Sequence, residues 1–272
     1  MLKDLVKNKR VALVGPSPHI LGKKQGSYID SFDIVIRVNE FGIPSSLYED
    51  YGSRTDIIFV ALHENSNSIF KEMIKKNDLS TLKLVLCIHH EYNLQPNSER
   101  DRSLSVFKYY KDLNLDIKFE HLGNEQFFER CKKFDCLPST GSSVIYELVK
   151  SEVGELYVTG MSFYTTKFQY NEEKSKIWKN YGPKNQNILR ASGHDTKKEV
   201  HFLRTYSKKN SNIKLNGDKV FKRIISSRIN WYYPIKAFFI HYINLDYFKN
   251  SLKLLLRWLK IPKYQKNAKK RY

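Results

Sequence analysis

Residues 10–15 read Arg-Val-Ala-Leu-Val-Gly, a short apolar run that ends at a glycine. Such a run predicts a buried strand that turns into a loop at its carboxyl end. Four later stretches have the same character and predict further strands: 33–38, 56–62, 82–88 and 155–160. With 272 residues, 41% of them hydrophobic, the chain is long enough to bury these strands in one large domain.

Helical patterns separate the strands, and they fall near residues 66–76, 101–112 and 142–151. Strands that alternate with helices are typical of an α/β protein with a doubly wound, mostly parallel sheet. We assign residues 1–215 to this domain, because the composition shifts near residue 216. Ligands of such sheets bind beyond the carboxyl ends of the strands. One crevice is therefore expected there, lined by residues 15–17, 39, 139–142 and 160–170.

Two turn motifs are candidates for binding an anion. Gly15-Pro16-Ser17 follows the first strand as a nucleotide-binding turn would, although the Gly-x-Gly-x-x-Gly and Walker patterns are both absent. Pro138-Ser139-Thr140-Gly141-Ser142 opens a predicted helix, which Ser139 or Thr140 can cap. Small residues there expose the backbone N–H groups of the first turn, which suit a carboxylate or phosphate. A plain turn and an ordinary helix cap are the alternatives.

Candidate catalytic side chains follow later in the chain. His194 lies in Ser192-Gly193-His194-Asp195-Thr196, and Glu199 follows five residues later at the predicted start of a helix. A histidine at such a junction can act as a general base near neutral pH, and a structural histidine is the alternative. Tyr164 and Tyr170 come just after the strand that ends at Gly160. Their phenols can hydrogen-bond a leaving phosphate, and a core or surface role is the alternative.

In their order and spacing these motifs resemble those of the sialyltransferases. The long sialylmotif of glycosyltransferase family 29 is similar to residues 11–15, 26–30, 33–39 and 51–55. Its short motif is similar to 138–141 with 157–160, and its very short motif to His194 with Glu199. The tyrosine pair is similar to that of the bacterial sialyltransferases of family 42. The resemblance covers roughly residues 10–205.

The resemblance implies a GT-A-like single Rossmann-type domain that uses a CMP-linked donor, inverts the anomeric carbon and needs no metal or other cofactor. No Asp-x-Asp occurs in the chain, so the usual carboxylate pair for a divalent ion is missing. The donor sugar is expected to be sialic acid or a related keto-acid sugar such as Kdo, and the acceptor a glycan or lipid-linked glycan. The expected reaction is a step in bacterial surface polysaccharide or lipooligosaccharide synthesis.

Roles carry over from the family position by position. Asn39 would contact the donor's phosphate or ribose, and His194 would deprotonate the acceptor hydroxyl. Tyr164 and Tyr170 would steady the departing CMP, while Glu199 would position the segment that carries the histidine. The remaining donor-site residues implied by the motifs are Gly15, Ser17, Ser139, Thr140, Gly141, Ser142 and Gly160.

Three departures from the family pattern bear on this reading. The family usually has Asn where this chain has Pro16, so one donor contact is lost or moved. The His-Tyr pair expected before the very short motif is not obvious, and Tyr170 is the nearest residue to it. The family's disulfide positions are held by Val11 and Val153, as expected of a cytosolic bacterial relative. The three cysteines, an odd number, agree with a fold that needs no bridges.

The net charge of +19 is concentrated near the carboxyl end. Residues 218–272 hold 14 lysines and arginines against two aspartates, a local net charge of +12, interleaved with aromatic residues. Around residues 252–260 the pattern is that of a basic amphipathic helix, which binds anionic membrane surfaces. The chain shows no signal-peptide core and no run of eighteen apolar residues. We therefore expect a cytoplasmic protein, peripheral on the inner face of the cytoplasmic membrane; a helix packed on the domain is the alternative.

Two other functions compete with the transferase as readings of the sequence. A sequence pI near 9.6 with interleaved aromatics would suit a nucleic-acid-binding protein. The charge is concentrated at the carboxyl end, however, and no nucleic-acid motif explains residues 10–205, so no nucleic-acid partner is expected. A catalytically inactive, glycan-binding homologue is the third reading, and Pro16 favours it.

Overall fold

The computed structural model of the chain describes residues 1–39, 43–61, 81–88, 117–164, 193–210 and 212–226. Its centre is a seven-stranded sheet in the order β5-β4-β3-β2-β1-β6-β7, and every pairing between these strands is parallel. The strands are β1 Arg10–Val14, β2 Ile34–Val38, β3 Ile57–Val60, β4 Leu84–Cys87, β5 Lys118–His121, β6 Glu155–Thr159 and β7 Lys214–Gly217. The predicted α/β class with a parallel sheet is confirmed.

Seven α-helices and two short 3-10 turns surround the sheet in the described ranges. The helices are α1 Leu2–Val6, α2 Gly26–Asp30, α3 Tyr48–Tyr51, α4 Asn124–Phe134, α5 Thr140–Lys150, α6 Thr196–Lys209 and α7 Lys219–Ser226. The 3-10 turns are Pro18–Ile20 and Ser45–Leu47. No helix in these ranges is long and apolar enough to cross a membrane.

All five predicted strands are present, shorter by one to three residues than predicted, and the helix predicted at 142–151 is α5. β5, β7 and α4 were not predicted. The side chains of β5 and β7 are mostly half-exposed or exposed, because both strands lie at the edges of the sheet, and so neither has an apolar run. The helices predicted near 66–76 and 101–112 lie outside the described residues, as does Tyr170.

The carboxyl-terminal part of the domain extends past residue 215. β7 pairs with β6, and α7 packs against β7 with Phe221 and Ile224 buried. Residues 214–226 therefore complete the sheet domain. The rest of the basic segment, from residue 227, lies outside the described residues.

The strand order creates a switch point between β1 and β6. The chain runs outward from β1 through β5 on one side, and then returns to place β6 on the other side of β1. Connections on the two sides diverge there, which opens a crevice beyond the carboxyl ends of these two strands. Gly15 directly follows β1 and Gly160 directly follows β6, so both glycines lie at its base.

The long-motif segments hold the turn after β1 in place. Arg37, fully buried in β2, donates hydrogen bonds to Thr55 Oγ1 and to the carbonyl oxygens of Tyr51 and Gly52. Tyr51 in turn donates its phenol proton to the carbonyl oxygen of Ser17, at 2.9 Å. Because a buried arginine needs such partners, these hydrogen bonds fix residues 33–39 against residues 51–55, two of the segments that resemble the long motif.

Candidate active site

A cleft opens at the switch point. Its lining consists of Gly15, Pro16, Ser17, Val38, Asn39, Ser139, Thr140, Gly141, Gly160, Met161, Ser162, Phe163 and Tyr164. Most of the donor-site residues named from the sequence are among these, although they come from four separate parts of the chain. Ser142 is buried behind the cleft wall, and Tyr170 lies outside the described residues.

The base of the cleft is a contact between two glycine turns. Gly15 N donates to the carbonyl oxygen of Thr159, and Ser17 N donates to that of Gly160, both at 2.8 Å. A Cβ atom on Gly15 would lie 2.5 Å from Gly160 O, and one on Gly160 would lie 2.2 Å from Gly15 O. Gly160 also has φ +66°, a left-handed conformation that glycine adopts without strain. The two turns can approach this closely only because both residues lack a side chain.

The first turn of α5 forms one wall. Ser139 is the N-cap, and its hydroxyl oxygen accepts a hydrogen bond from Ser142 N. The same hydroxyl lies 2.6 Å from Glu199 Oε2, to which it donates a hydrogen bond. The backbone N–H groups of Thr140 and Gly141 are the first-turn donors that remain at the lining of the cleft. A helix N-terminus of this kind favours an anion.

Glu199 is buried beneath that turn, with 1% of its surface exposed. Its Oε2 atom accepts hydrogen bonds from the hydroxyls of Ser139 and Ser142. Burial raises the pKa of the Glu199 carboxyl. The hydrogen bonds from the two serine hydroxyls, and the charge that His194 carries when its ring is protonated, oppose that rise. This carboxyl group thus ties α6 to the start of α5.

The buried carboxyl makes a prediction for stability against pH. Since its pKa is raised above the ordinary 4.5, the folded state holds this proton more tightly than the unfolded state does. The resulting stability is complete below pH 4.5 and is lost as the pH rises through the raised pKa. Glu199→Gln keeps the shape of the side chain and cannot ionise. The melting temperature of the variant should therefore rise relative to that of the wild type as the pH increases above 4.5.

Thermal melts of both proteins across this pH range measure the effect. Glu125→Gln, which changes an exposed glutamate in the first turn of α4, is the matched control and should show no such gain. A difference between Glu199→Gln and wild type that stays constant with pH would contradict the assignment.

His194 is held on the flank of the cleft by Leu137. The ring nitrogen Nδ1 lies 2.7 Å from the carbonyl oxygen of Leu137, and Leu137 N donates to the carbonyl oxygen of Gly193 at 2.9 Å. A carbonyl oxygen only accepts, so Nδ1 carries the proton and the neutral ring leaves Nε2 as an acceptor. This is the tautomer that a general base requires. His194 is not itself in the lining of the cleft. It bonds to Leu137, which precedes the lining residue Ser139 by two positions.

Asn39 is oriented by the neighbouring strand. Its backbone is left-handed, with φ 58°, and its N–H donates to the carbonyl oxygen of Phe59 at 2.8 Å. Its side-chain Oδ1 accepts from Ala61 N at 3.0 Å. Because the amide oxygen is bonded in this way, the Nδ2 group is the part of the side chain left to donate to a ligand.

Sequence reasoning passed over several lining residues. Met161, Ser162 and Phe163 lie inside the range expected to line the crevice but were not singled out. Ser17 Oγ and Ser162 Oγ are 2.8 Å apart, a buried hydrogen bond across the switch point. Phe163 and Tyr164 both have left-handed backbones, with φ 48° and 61°. That conformation is uncommon for aromatic residues, and no sequence pattern signals it.

Asp218 is the other residue that was missed. It follows the edge strand β7, and its side chain accepts a hydrogen bond from Gly160 N, 58 positions earlier in the chain.

Among the described residues, no group of three or more His, Cys, Asp or Glu side chains lies close enough to hold a metal ion.

The comparison with protein-family models identifies one family. The profile described as glycosyltransferase family 29 (sialyltransferase) matches residues 4–211. No curated protein matches the chain's sequence. A mammalian sialyltransferase structure is 19% identical over 77% of this chain and 70% of its own, with a TM-score of 0.45. A mammalian sialyltransferase in complex with Gal-beta-1-3GalNAc-ortho-nitrophenol is 19% identical over 79% of this chain and 72% of its own, with a TM-score of 0.46. CstII from Campylobacter jejuni, in complex with the substrate analogue CMP-3FNeuAc, is 18% identical over 83% of this chain and 88% of its own, with a TM-score of 0.44.

Proposed function

The chain belongs to glycosyltransferase family 29, the sialyltransferase family, and from this membership and the cleft we propose that it moves a keto-acid sugar from a CMP-linked donor to a glycan. The donor sugar is sialic acid or the related acid Kdo. Both carry a carboxylate beside the anomeric carbon, so both present two anionic groups to the protein, the carboxylate and the phosphate of CMP.

The observation that carries the proposal is the convergence of four distant segments on one cleft. The turns at Gly15 and Gly160, the side chain of Asn39 and the first turn of α5 share it, with His194 on its flank. This is the ligand position expected of a parallel sheet with a switch point. The N–H groups of Thr140 and Gly141 suit the donor's carboxylate or phosphate, and the Asn39 Nδ2 group suits a phosphate or ribose oxygen.

The mechanism is a direct displacement at the anomeric carbon. The acceptor hydroxyl oxygen attacks that carbon while His194 Nε2 takes the hydroxyl proton. The bond from carbon to the phosphate oxygen breaks, and CMP leaves with the electron pair, which inverts the anomeric configuration. CMP is already a good leaving group, so the protein contributes positioning, base assistance and charge stabilisation. Tyr164, in the cleft lining, and Tyr170 would steady the departing phosphate without a metal ion.

The basic carboxyl-terminal segment supports a second part of the proposal. Its 14 lysines and arginines between residues 218 and 272 would bring the enzyme to an anionic membrane surface, where a lipid-linked glycan acceptor resides. The enzyme would then act at the cytoplasmic face of a bacterial membrane, in the synthesis of a surface polysaccharide or lipooligosaccharide.

Selective binding of cytidine nucleotide tests the donor class. We expect CMP to raise the melting temperature of the full chain, and UMP and GMP to leave it unchanged. Ligand at 100 times its Kd stabilises the native state by about 2.7 kcal/mol. CMP-sialic acid and CMP-Kdo, measured in parallel, identify the sugar by the larger shift. A folded protein whose melting temperature responds to no cytidine ligand would contradict the proposal.

Pro16 supports one competing function, an inactive member of the family that binds glycans. It lines the cleft where the family usually has Asn, and its side chain has no hydrogen-bonding group. Such a protein would bind a glycan without turning over a CMP-linked donor, so an assay of CMP release separates the two functions.

A further inference from the structure

Asp218 joins three parts of the chain through one buried carboxylate. Its Oδ2 atom accepts hydrogen bonds from Gly160 N at 2.9 Å, from the Thr159 hydroxyl at 3.0 Å and from His19 Nε2 at 2.8 Å. Its Oδ1 atom accepts from Phe221 N at 2.8 Å and so caps the first turn of α7. Both the Asp218 and the His19 side chains are only 11% exposed. The carboxylate thus connects the turn after β1, the end of β6 and the start of α7.

These bonds hold the carboxylate in its ionised form. Burial raises the pKa of Asp218, but the hydrogen bond from His19 and the N–H groups of Phe221 and Gly160 outweigh burial and lower it. An ionised carboxylate is an acceptor only, so His19 Nε2 must carry the proton that it donates. Among the described residues, the other ring nitrogen of His19, Nδ1, is buried without a hydrogen-bond partner. Asp218 is therefore the only described polar contact that orients this ring.

The three donors on Oδ2 come from the last residue of β6, from the turn after β6 and from the 3-10 turn that follows the β1 turn. Gly160 N belongs to the turn after β6, whose carbonyl oxygen accepts from Ser17 N. His19 lies two residues beyond Ser17, in the 3-10 turn Pro18–Ile20. The carboxylate therefore links the β1 turn, through His19, to the β6 turn, through Gly160. This link adds to the direct backbone hydrogen bonds between the two turns. It also occupies the N–H of Gly160, so an anionic donor has to use other backbone donors, such as those of α5.

We propose that Asp218, with His19 as its partner, is a positioning residue for donor binding that fixes the spacing of the Gly15 and Gly160 turns. This inference rests on the proposed function, because it assigns the role with respect to a CMP-linked donor. Asp218 does not line the cleft, and its effect on the donor is exerted through Gly160 and Thr159. Loss of the bridge would let the two turns shift, and misplacement of a binding group by about an ångström is enough to weaken catalysis strongly.

Asp218→Asn tests the bridge in the full chain. The asparagine keeps the size of the side chain but brings an N–H₂ group against donors that need an acceptor. We expect the Kd for CMP and the KM for the donor to rise by on the order of tenfold, with the KM for the acceptor unchanged. Asp50→Asn is the matched control. Asp50 also ties the segment after β1, through Gly22 N and Lys24 N at 2.8 Å each, but it does not reach the cleft.

A pair of His19 variants gives a second test that does not depend on the folding of Asp218→Asn. In His19→Gln the side-chain amide can replace Nε2 as donor to Asp218, so CMP affinity should stay near that of the wild type. His19→Ala removes the donor and should weaken CMP binding severalfold. Equal CMP affinity in wild type, Asp218→Asn and His19→Ala would overturn the inference while leaving the proposed function intact. Absence of CMP binding by the wild type itself would instead overturn the proposed function.

Discussion

Replacement of His194 by asparagine should lower the rate of sugar transfer by about 10²–10⁴-fold, the usual contribution of a positioned general base. The asparagine Nδ2 group lies where the histidine carries Nδ1, so it can still donate to the carbonyl oxygen of Leu137. What the variant lacks is Nε2, the atom that takes the acceptor proton. The affinity for CMP should therefore be unchanged, because the turns and the helix N-terminus that bind the nucleotide are intact.

Two further variants separate chemistry from structure. His194→Ala loses both the base and the hydrogen bond to Leu137, so it should lose activity to the same extent and some stability as well. His201→Asn changes an exposed histidine on α6, the helix that follows His194 in the chain, and should retain full activity. Initial rates at saturating donor, together with CMP titrations, measure these effects. Wild-type turnover in His194→Asn would remove His194 as the base.

Gly160→Ala should be the most destabilising single substitution in the cleft. A left-handed backbone costs a non-glycine residue about 1–3 kcal/mol. The new Cβ atom would also lie 2.2 Å from the carbonyl oxygen of Gly15, a backbone atom that cannot move away alone. The β1 and β6 turns must therefore separate, and CMP binding should be lost together with stability.

Gly22→Ala is the matched control for this substitution. Gly22 has a similar φ of +71°, but a Cβ atom there would meet no other atom within 4 Å. It reports the cost of the backbone conformation alone, so the difference between the two variants isolates the contact with Gly15. Unfolding free energies from chemical denaturation measure both. If Gly160→Ala were no less stable than Gly22→Ala and still bound CMP, the turns would not be packed as described.

The central strands could be predicted because they are buried on both faces and therefore read as continuous apolar runs. β5 and β7 could not, since the edges of the sheet are partly solvated and Lys118–His121 and Lys214–Gly217 carry polar residues. The switch point between β1 and β6 depends on pairings between residues far apart in the chain. Hydrophobic periodicity alone does not reveal such pairings.

The candidate site was predictable where a local signal marks it. Glycine after a strand, small residues at a helix start and a histidine before a helix are such signals, and they led to Gly15, Gly141 and His194. Asp218 gives no local signal, because its partners lie in the β1 turn, at the end of β6 and in α7. The bond from the Ser139 hydroxyl to Glu199 has no local signal either, because the two residues are 60 positions apart.

Release of CMP from CMP-sialic acid is the measurement that tests the central claim most directly. The wild-type full chain would be incubated with the donor, a mixture of glycan acceptors and a chelator of divalent ions, and CMP would be quantified over time. The proposed mechanism predicts CMP release well above the uncatalysed rate with the chelator present, and near the uncatalysed rate for His194→Asn. No release above that rate from either CMP-sialic acid or CMP-Kdo, by a folded protein, would contradict the assignment as an active transferase.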